Sequence, residues 1–198
     1  MTYDAIILAS ASERRSRLLA QIGVRHERLA MDLDESQRDA EPPRDYVLRL
    51  ACAKAAAAVR AQGARAGHPV LAADTAVVLD GRVYGKPADE GECIAILTAL
   101  AGRTHEVLTG IALAHAGAVQ TAFSATRVSF RAIDAAECRR YWTSGEPAGK
   151  AGAYAIQGLG AVFVSRIDGS HSGVMGLPLF ETATLLDAAG VRRWQPVA

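Results

Sequence analysis

The sequence predicts an α/β fold built on a mixed sheet, and three observations carry that expectation. Strand-like and helix-like segments mix along the chain without the strict alternation of a parallel sheet. A continuous apolar run over residues 5–9 stops at a Ser-x-x-Glu pattern, which reads as a buried strand turning into a helix. Two long strand-like stretches, residues 105–115 and 119–132, flank an Ala-Gly-Ala turn and read as an antiparallel pair.

The elements follow in order. The first helix runs to about residue 22, with Leu18, Leu19 and Ile22 on one side, Arg14, Arg15 and Arg17 on the other, and Gly23 closing it. Its capping box pairs Ser10 with Glu13, so the Glu13 carboxylate is expected to turn back to the Ser10 backbone. Residues 26–31 read as a second strand, and the acidic, Pro-containing residues 32–43 as a loop. A long helix rich in Ala, Leu and Arg spans about 43–62, ahead of Gly63. Residues 70–73 form a buried strand that runs into Asp74. Residues 75–79 stay extended, Asp80-Gly81 turns, and Val83 and Tyr84 return. Asp89 with Glu92, and Asp134 with Glu137, cap two further helices, closed by Gly102 and Gly145. Residues 146–160 are Gly-rich and irregular, 162–167 a strand, and 178–189 the last helix. With no repeat and no linker, residues 1–198 read as one domain.

Composition excludes several classes of function. Half of the residues are hydrophobic and 22% charged, as in ordinary globular proteins. A net charge of +1 offers no basic field, so nucleic acid is not an expected partner. No stretch is apolar enough to span a bilayer, so no membrane partner is expected, and the first ten residues lack the basic start of a signal peptide. A cytoplasmic location is the default. Cys52, Cys93 and Cys138 lack zinc-site spacing and fit a reducing compartment.

The chemistry begins with the lysines. Lys and Arg total 22, yet Lys occurs only at Lys54, Lys86 and Lys150. Lys86 and Lys150 sit beside glycine in loops, a context suited to phosphate oxygens. A compact ammonium supplies charge there, and glycine lets the backbone approach. Leftover surface lysines are the plain alternative. Asp74 follows an apolar strand, where an acid can hold a metal or accept a proton from water. A turn aspartate is the alternative. Ser10, Ser12, Arg14 and Arg15 surround a helix N-terminus, whose free N–H groups favour an anion. Asp32, Asp34 and Glu35 form an acidic group that could assist Mg²⁺ or lie in solvent. There is no P-loop, no dinucleotide fingerprint and no H-E-x-x-H pair.

Together these stretches resemble the Maf (septum-inhibition) family of nucleoside triphosphate pyrophosphatases. The likeness covers nearly the whole chain. It is carried by LASASERRSRLL, the helix with Lys54, AADTAV, GKP, GRTHEVLTG, GEPAGKAGAYAIQGLGAVFV and GLPLFET. The resemblance implies an elongated mixed sheet with helices in two lobes around a central cleft, akin to inosine-triphosphate pyrophosphatases. It implies a nucleoside triphosphate substrate cleaved between the α and β phosphates, a divalent cation (Mg²⁺ or Mn²⁺), and frequent homodimers. AGAYAIQG and Thr75 resemble the branch acting on dTTP and UTP. A purine-directed enzyme, such as one for 7-methyl-GTP, and a non-catalytic septation regulator are the alternatives. By position, Asp74 matches the proton acceptor or a metal ligand, and Glu35 a carboxylate near the metal. Lys54 and Lys86 match phosphate clamps. Ser10, Ser12, Arg15 and Lys150 match polar positions around the triphosphate. Arg14, Thr75 and Gln157 match positions that tune substrate choice. The chain departs from the family pattern at Glu13 (usually proline), Ala155 (usually glycine) and His171 (usually aromatic).

Overall fold

A computed structural model describes residues 2–63 and 67–196. Its sheet has seven strands: β1 (Ala5–Leu8), β2 (Arg25–Arg28), β3 (Val70–Leu79), β4 (Arg82–Tyr84), β5 (Thr104–His115), β6 (Ala118–Phe130) and β7 (Val164–Asp168). The spatial order is β2-β1-β3-β5-β6-β7, with β4 beside β3. β1 pairs in parallel with β2 and β3, and the remaining pairings are antiparallel. The sheet is therefore mixed, as expected.

Six α-helices cover it among the described residues: α1 (Glu13–Gln21), α2 (Pro43–Ala61), α3 (Glu90–Leu100), α4 (Ala135–Thr143), α5 (His171–Met175) and α6 (Leu179–Ala188). Side chains of a strand alternate between faces, and β3 shows how this divides the molecule. Leu71 and Ala73 pack with Leu18 and Leu19 of α1 and Leu185 and Leu186 of α6. Val77 and Leu79, on the same face, pack with Leu97 and Leu100 of α3 and Cys138 and Tyr141 of α4. Thr75 lies between the two lobes. On the opposite face, Val70 and Ala72 pack under Ala51, Ala55 and Ala58 of α2. That helix approaches closely because β5 carries Gly110, where a Cβ would stand 2.8 Å from the Val47 backbone.

Some boundaries differ from expectation, each for a local reason. α1 is capped by Ser12, whose Oγ accepts from the Arg15 N–H, not by Ser10. Ser10 Oγ instead accepts from the Ser12 N–H at 3.1 Å. Glu13 does not turn back to Ser10. It pairs with Arg28 at 2.5 Å and Arg17 at 3.7 Å, because two nearby guanidiniums outcompete one neutral N–H. β2 is four residues long, and its last bond to β1 is made just beyond it, from Leu29 N–H to Leu8 O at 2.9 Å. The strand expected over residues 162–167 begins at Val164, after a 3-10 turn over Leu159–Phe163. The two other capping pairs behave as expected, with Asp89 Oδ1 accepting from Glu92 N–H at 2.8 Å and Asp134 Oδ1 from Glu137 N–H at 2.7 Å. The five-residue α5 had no expectation attached to it. Ser170 caps it, and Gly176 ends it at φ 111°.

Candidate functional site

β1 pairs with β3 only as far as Leu71, and β4 takes the same edge only from Val77. Between them β3 has no neighbouring strand on that side among the described residues, and a cleft of about 590 Å³ opens there. Asp74 is therefore mid-strand, not at the end of its strand as the sequence suggested. The rule that ligands sit beyond the carboxyl end of a strand applies to β1 instead. Its following loop, Ser10 to Ser12, forms one wall.

The cleft gathers every residue that the family resemblance assigned a role at the site. Ser10, Ser12, Arg14 and Arg15 come from the first loop and α1. Asp74 and Thr75 come from β3, Lys54 from α2, and Glu35 from the loop before α2. Lys86 follows β4, and Lys150 and Gln157 lie on the Gly-rich loop after α4. Asp32 and Asp34 are not part of the lining. Asp34 Oδ1 accepts from Ser36 N–H at 2.9 Å, an exposed turn contact, so only Glu35 of the acidic group faces the cleft.

Lys54 is the electrostatic centre. Its Nζ lies 2.6 Å from Asp74 Oδ1 and 2.5 Å from Glu35 Oε1, and Lys86 Nζ reaches Glu35 Oε2 at 3.3 Å. Burial pushes the Asp74 carboxyl above the ordinary aspartate value, against the attraction of Lys54 and Arg15. Glu35 behaves oppositely. Burial opposes its charge, but the Lys54 hydrogen bond and the two ammonium groups outweigh that and hold its carboxyl low. Two carboxylates with split affinities for protons thus share one lysine, a pattern that separates a base from a fixed anion.

Arg15 spends much of its donor capacity on the protein. Nε donates to Gly176 O at 2.8 Å, Nη1 to Ser10 Oγ and Nη2 to Thr75 Oγ1, both at 3.2 Å. Three of a guanidinium's five N–H groups are so used, which makes Arg15 a rivet between the first loop, β3 and α5. Arg14 Nε reaches Met175 O at 3.4 Å. Lys150 Nζ donates to Ala148 O at 3.1 Å, and burial with the nearby Arg14 charge lowers its pKa. An ammonium under that influence gains from an added anion.

Three contributors were missed. Tyr46 of α2 lines the cleft and donates to Glu35 O at 2.9 Å, fixing the Glu35 loop. Thr109 lies fully buried behind Thr75. Glu146 holds the Gly-rich loop by accepting from Tyr141 OH at 2.7 Å, Leu159 N–H at 3.0 Å and Gly160 N–H at 2.9 Å. Glu146 had a sequence signal as the lone acid in the loop stretch 146–160, and Thr109 lies within the GRTHEVLTG stretch. Tyr46 looks like a core residue until the sheet is assembled.

Known proteins are similar to this chain along nearly its whole length. The dTTP/UTP pyrophosphatase of Bordetella avium (strain 197N) is 54% identical over 193 residues, covering 94% of this chain and 96% of that protein. The dTTP/UTP pyrophosphatase of Cupriavidus pinatubonensis is 50% identical, covering 96% of this chain and 99% of that protein. The corresponding protein of Saccharophagus degradans is 49% identical, covering 98% and 92%. Among solved structures, the Staphylococcus aureus Ham1 protein is a remote match, with TM-score 0.42 and 14% identity over 64% of this chain and 71% of that one. The model of the Maf-like protein family matches residues 5–189, and the chain belongs to that family.

Proposed function

We propose that the chain is a nucleoside triphosphate pyrophosphatase that hydrolyses dTTP and UTP to the monophosphate and pyrophosphate. The single observation that carries this reading is the Asp74–Lys54–Glu35 cluster at the floor of a cleft rimmed by cationic side chains. Relatives named dTTP/UTP pyrophosphatases support the substrate class.

The divalent cation can be tested against the residues present. No group of three or more His, Cys, Asp or Glu side chains that could hold a metal occurs among the described residues. Mg²⁺, however, is commonly held by one or two carboxylates, with water and substrate phosphates completing its shell. Glu35 and Asp74 meet that requirement, since both open onto the cleft. Glu35, the stronger acid, is the better ligand. When bound, the cation would neutralise phosphate charge.

The chain's own groups do the rest. Asp74, with its raised affinity for a proton, accepts one from the attacking water. Lys54 keeps that carboxylate oriented. Lys86, Lys150, Arg14 and the N-terminus of α1 balance the charge of the triphosphate and of the departing pyrophosphate. Ser10 and Ser12 add hydroxyls on the same wall. Gln157, exposed on the far wall, presents an amide donor and acceptor that match the imide edge of uracil or thymine.

Product analysis tests the proposal. Purified protein with Mg²⁺ and each nucleoside triphosphate should release pyrophosphate, fastest from dTTP and UTP. Release of inorganic phosphate and a nucleoside diphosphate would overturn it.

A further inference from the structure

Thr75 and Thr109 are direct register partners on β3 and β5, and their hydroxyl oxygens lie 2.9 Å apart. Each hydroxyl has one proton, so the direction of this contact follows from its neighbours. At the inner end, Thr109 Oγ1 lies 2.9 Å from Gly173 O, a carbonyl that can only accept. At the outer end, Arg15 Nη2 lies 3.2 Å from Thr75 Oγ1, and a guanidinium can only donate. All three bonds form together in one arrangement alone. Arg15 donates to Thr75, Thr75 to Thr109, and Thr109 to Gly173 O.

We propose that Thr109 is a positioning residue that turns Thr75 into a hydrogen-bond acceptor toward the cleft. Thr75 lines the cleft, but its proton is committed inward. Only an oxygen lone pair remains for a ligand. At that point the cleft selects a group carrying N–H or O–H and disfavours phosphate or carbonyl oxygen. Thr75 therefore meets the nucleoside, not the triphosphate. Reversing the hydroxyl sacrifices one buried neutral hydrogen bond, which sets the preference at about fivefold to tenfold. Thr109 is fully buried, so water does not replace the lost partner.

The inference rests on a pyrimidine nucleoside triphosphate as substrate. UTP and dTTP share two fitting donors, the imide N3–H and the sugar 3′-hydroxyl. The ratio of kcat/KM for UTP to that for 3-methyl-UTP reads the first, and the ratio for UTP to 3′-deoxy-UTP the second. Steric effects of each analogue are common to wild type and variants, so they cancel when ratios are compared. Thr109→Val should lower one of the two ratios about fivefold to tenfold. Thr109→Ser, which keeps the hydroxyl, should leave both at the wild-type value. Unchanged ratios in Thr109→Val, or equal loss in Thr109→Ser, would overturn the inference. Failure of the wild type to turn over UTP is a different result and removes the substrate reading itself. Neutron diffraction of the wild-type chain needs no variant. The Thr75 deuteron should point at Thr109 Oγ1, and a deuteron pointing into the cleft would overturn the inference independently.

Discussion

Lys54 Nζ stands 2.6 Å from Asp74 Oδ1, and each side chain keeps only 10% of its surface exposed. A charged pair this covered depends on both members, because removing one strands the other in a poorly solvating site. Lys54→Met should therefore lower unfolding free energy by about 3 kcal/mol in urea at neutral pH. The double variant with Asp74→Asn should recover part of that loss, since neither charge remains unpaired. Additive losses would show that the pair is not coupled.

Asp74→Asn keeps the shape of the side chain and its place at the cleft floor. It removes the proton acceptor, so turnover of UTP should fall on the order of a thousandfold while nucleotide binding persists. Near-normal turnover would take Asp74 out of the chemistry. In the wild type, protonated Asp74 cannot accept a proton. The acid limb of kcat/KM should thus lie above the ordinary aspartate range, with activity rising as pH rises through it.

His105 carries a pH effect on stability, not on catalysis. It is buried between Phe130 and Tyr154, with Nε2 2.9 Å from Tyr154 OH, and burial lowers its pKa to about 4. The unfolded chain binds a proton near pH 6.5, and the folded chain resists until about 4. Stability from this group is complete above pH 6.5 and is lost as pH falls toward 4, by about 3 kcal/mol. Urea titrations at the two ends of that window, on wild type and His105→Asn, measure it. The variant should show a shallower decline.

Glu146 ties the Lys150–Gln157 loop to α4. Glu146→Ala removes three hydrogen bonds, two of them to loop backbone N–H groups. The loop should loosen, and KM for UTP should rise about tenfold with a smaller change in kcat. A change confined to kcat would place Glu146 in a different role.

Much of the framework was legible because its signals are local. Gly and Asp-x-x-Glu pairs bracket α3 and α4, and alternation or continuous apolar runs mark β1, β3, β5 and β6. Less legible were elements whose conformation is imposed from elsewhere. The 3-10 turn at Leu159–Phe163 replaces part of an expected strand because Glu146 holds its backbone N–H groups. Glu13 left its expected partner because Arg28, fifteen residues away, is adjacent in space.

The site divides along the same line. Ser10, Ser12, Arg14, Arg15, Glu35, Lys54, Asp74, Thr75, Lys86, Lys150 and Gln157 were nameable from local sequence patterns and the family resemblance they carry. Charge type, glycine neighbours and helix starts are short-range properties, and a sequence states them directly. It does not state which proton goes where. Asp74 holds its proton more tightly because the packed sheet buries it, and Glu35 stays low because Lys54, nineteen residues away on α2, and Lys86 both reach its carboxylate. Thr75 acquired its polarity from Thr109, thirty-four residues away on the next strand. Proton affinity and hydrogen-bond direction depend on burial and on partners within a few ångströms, and only the packed sheet brings those partners together.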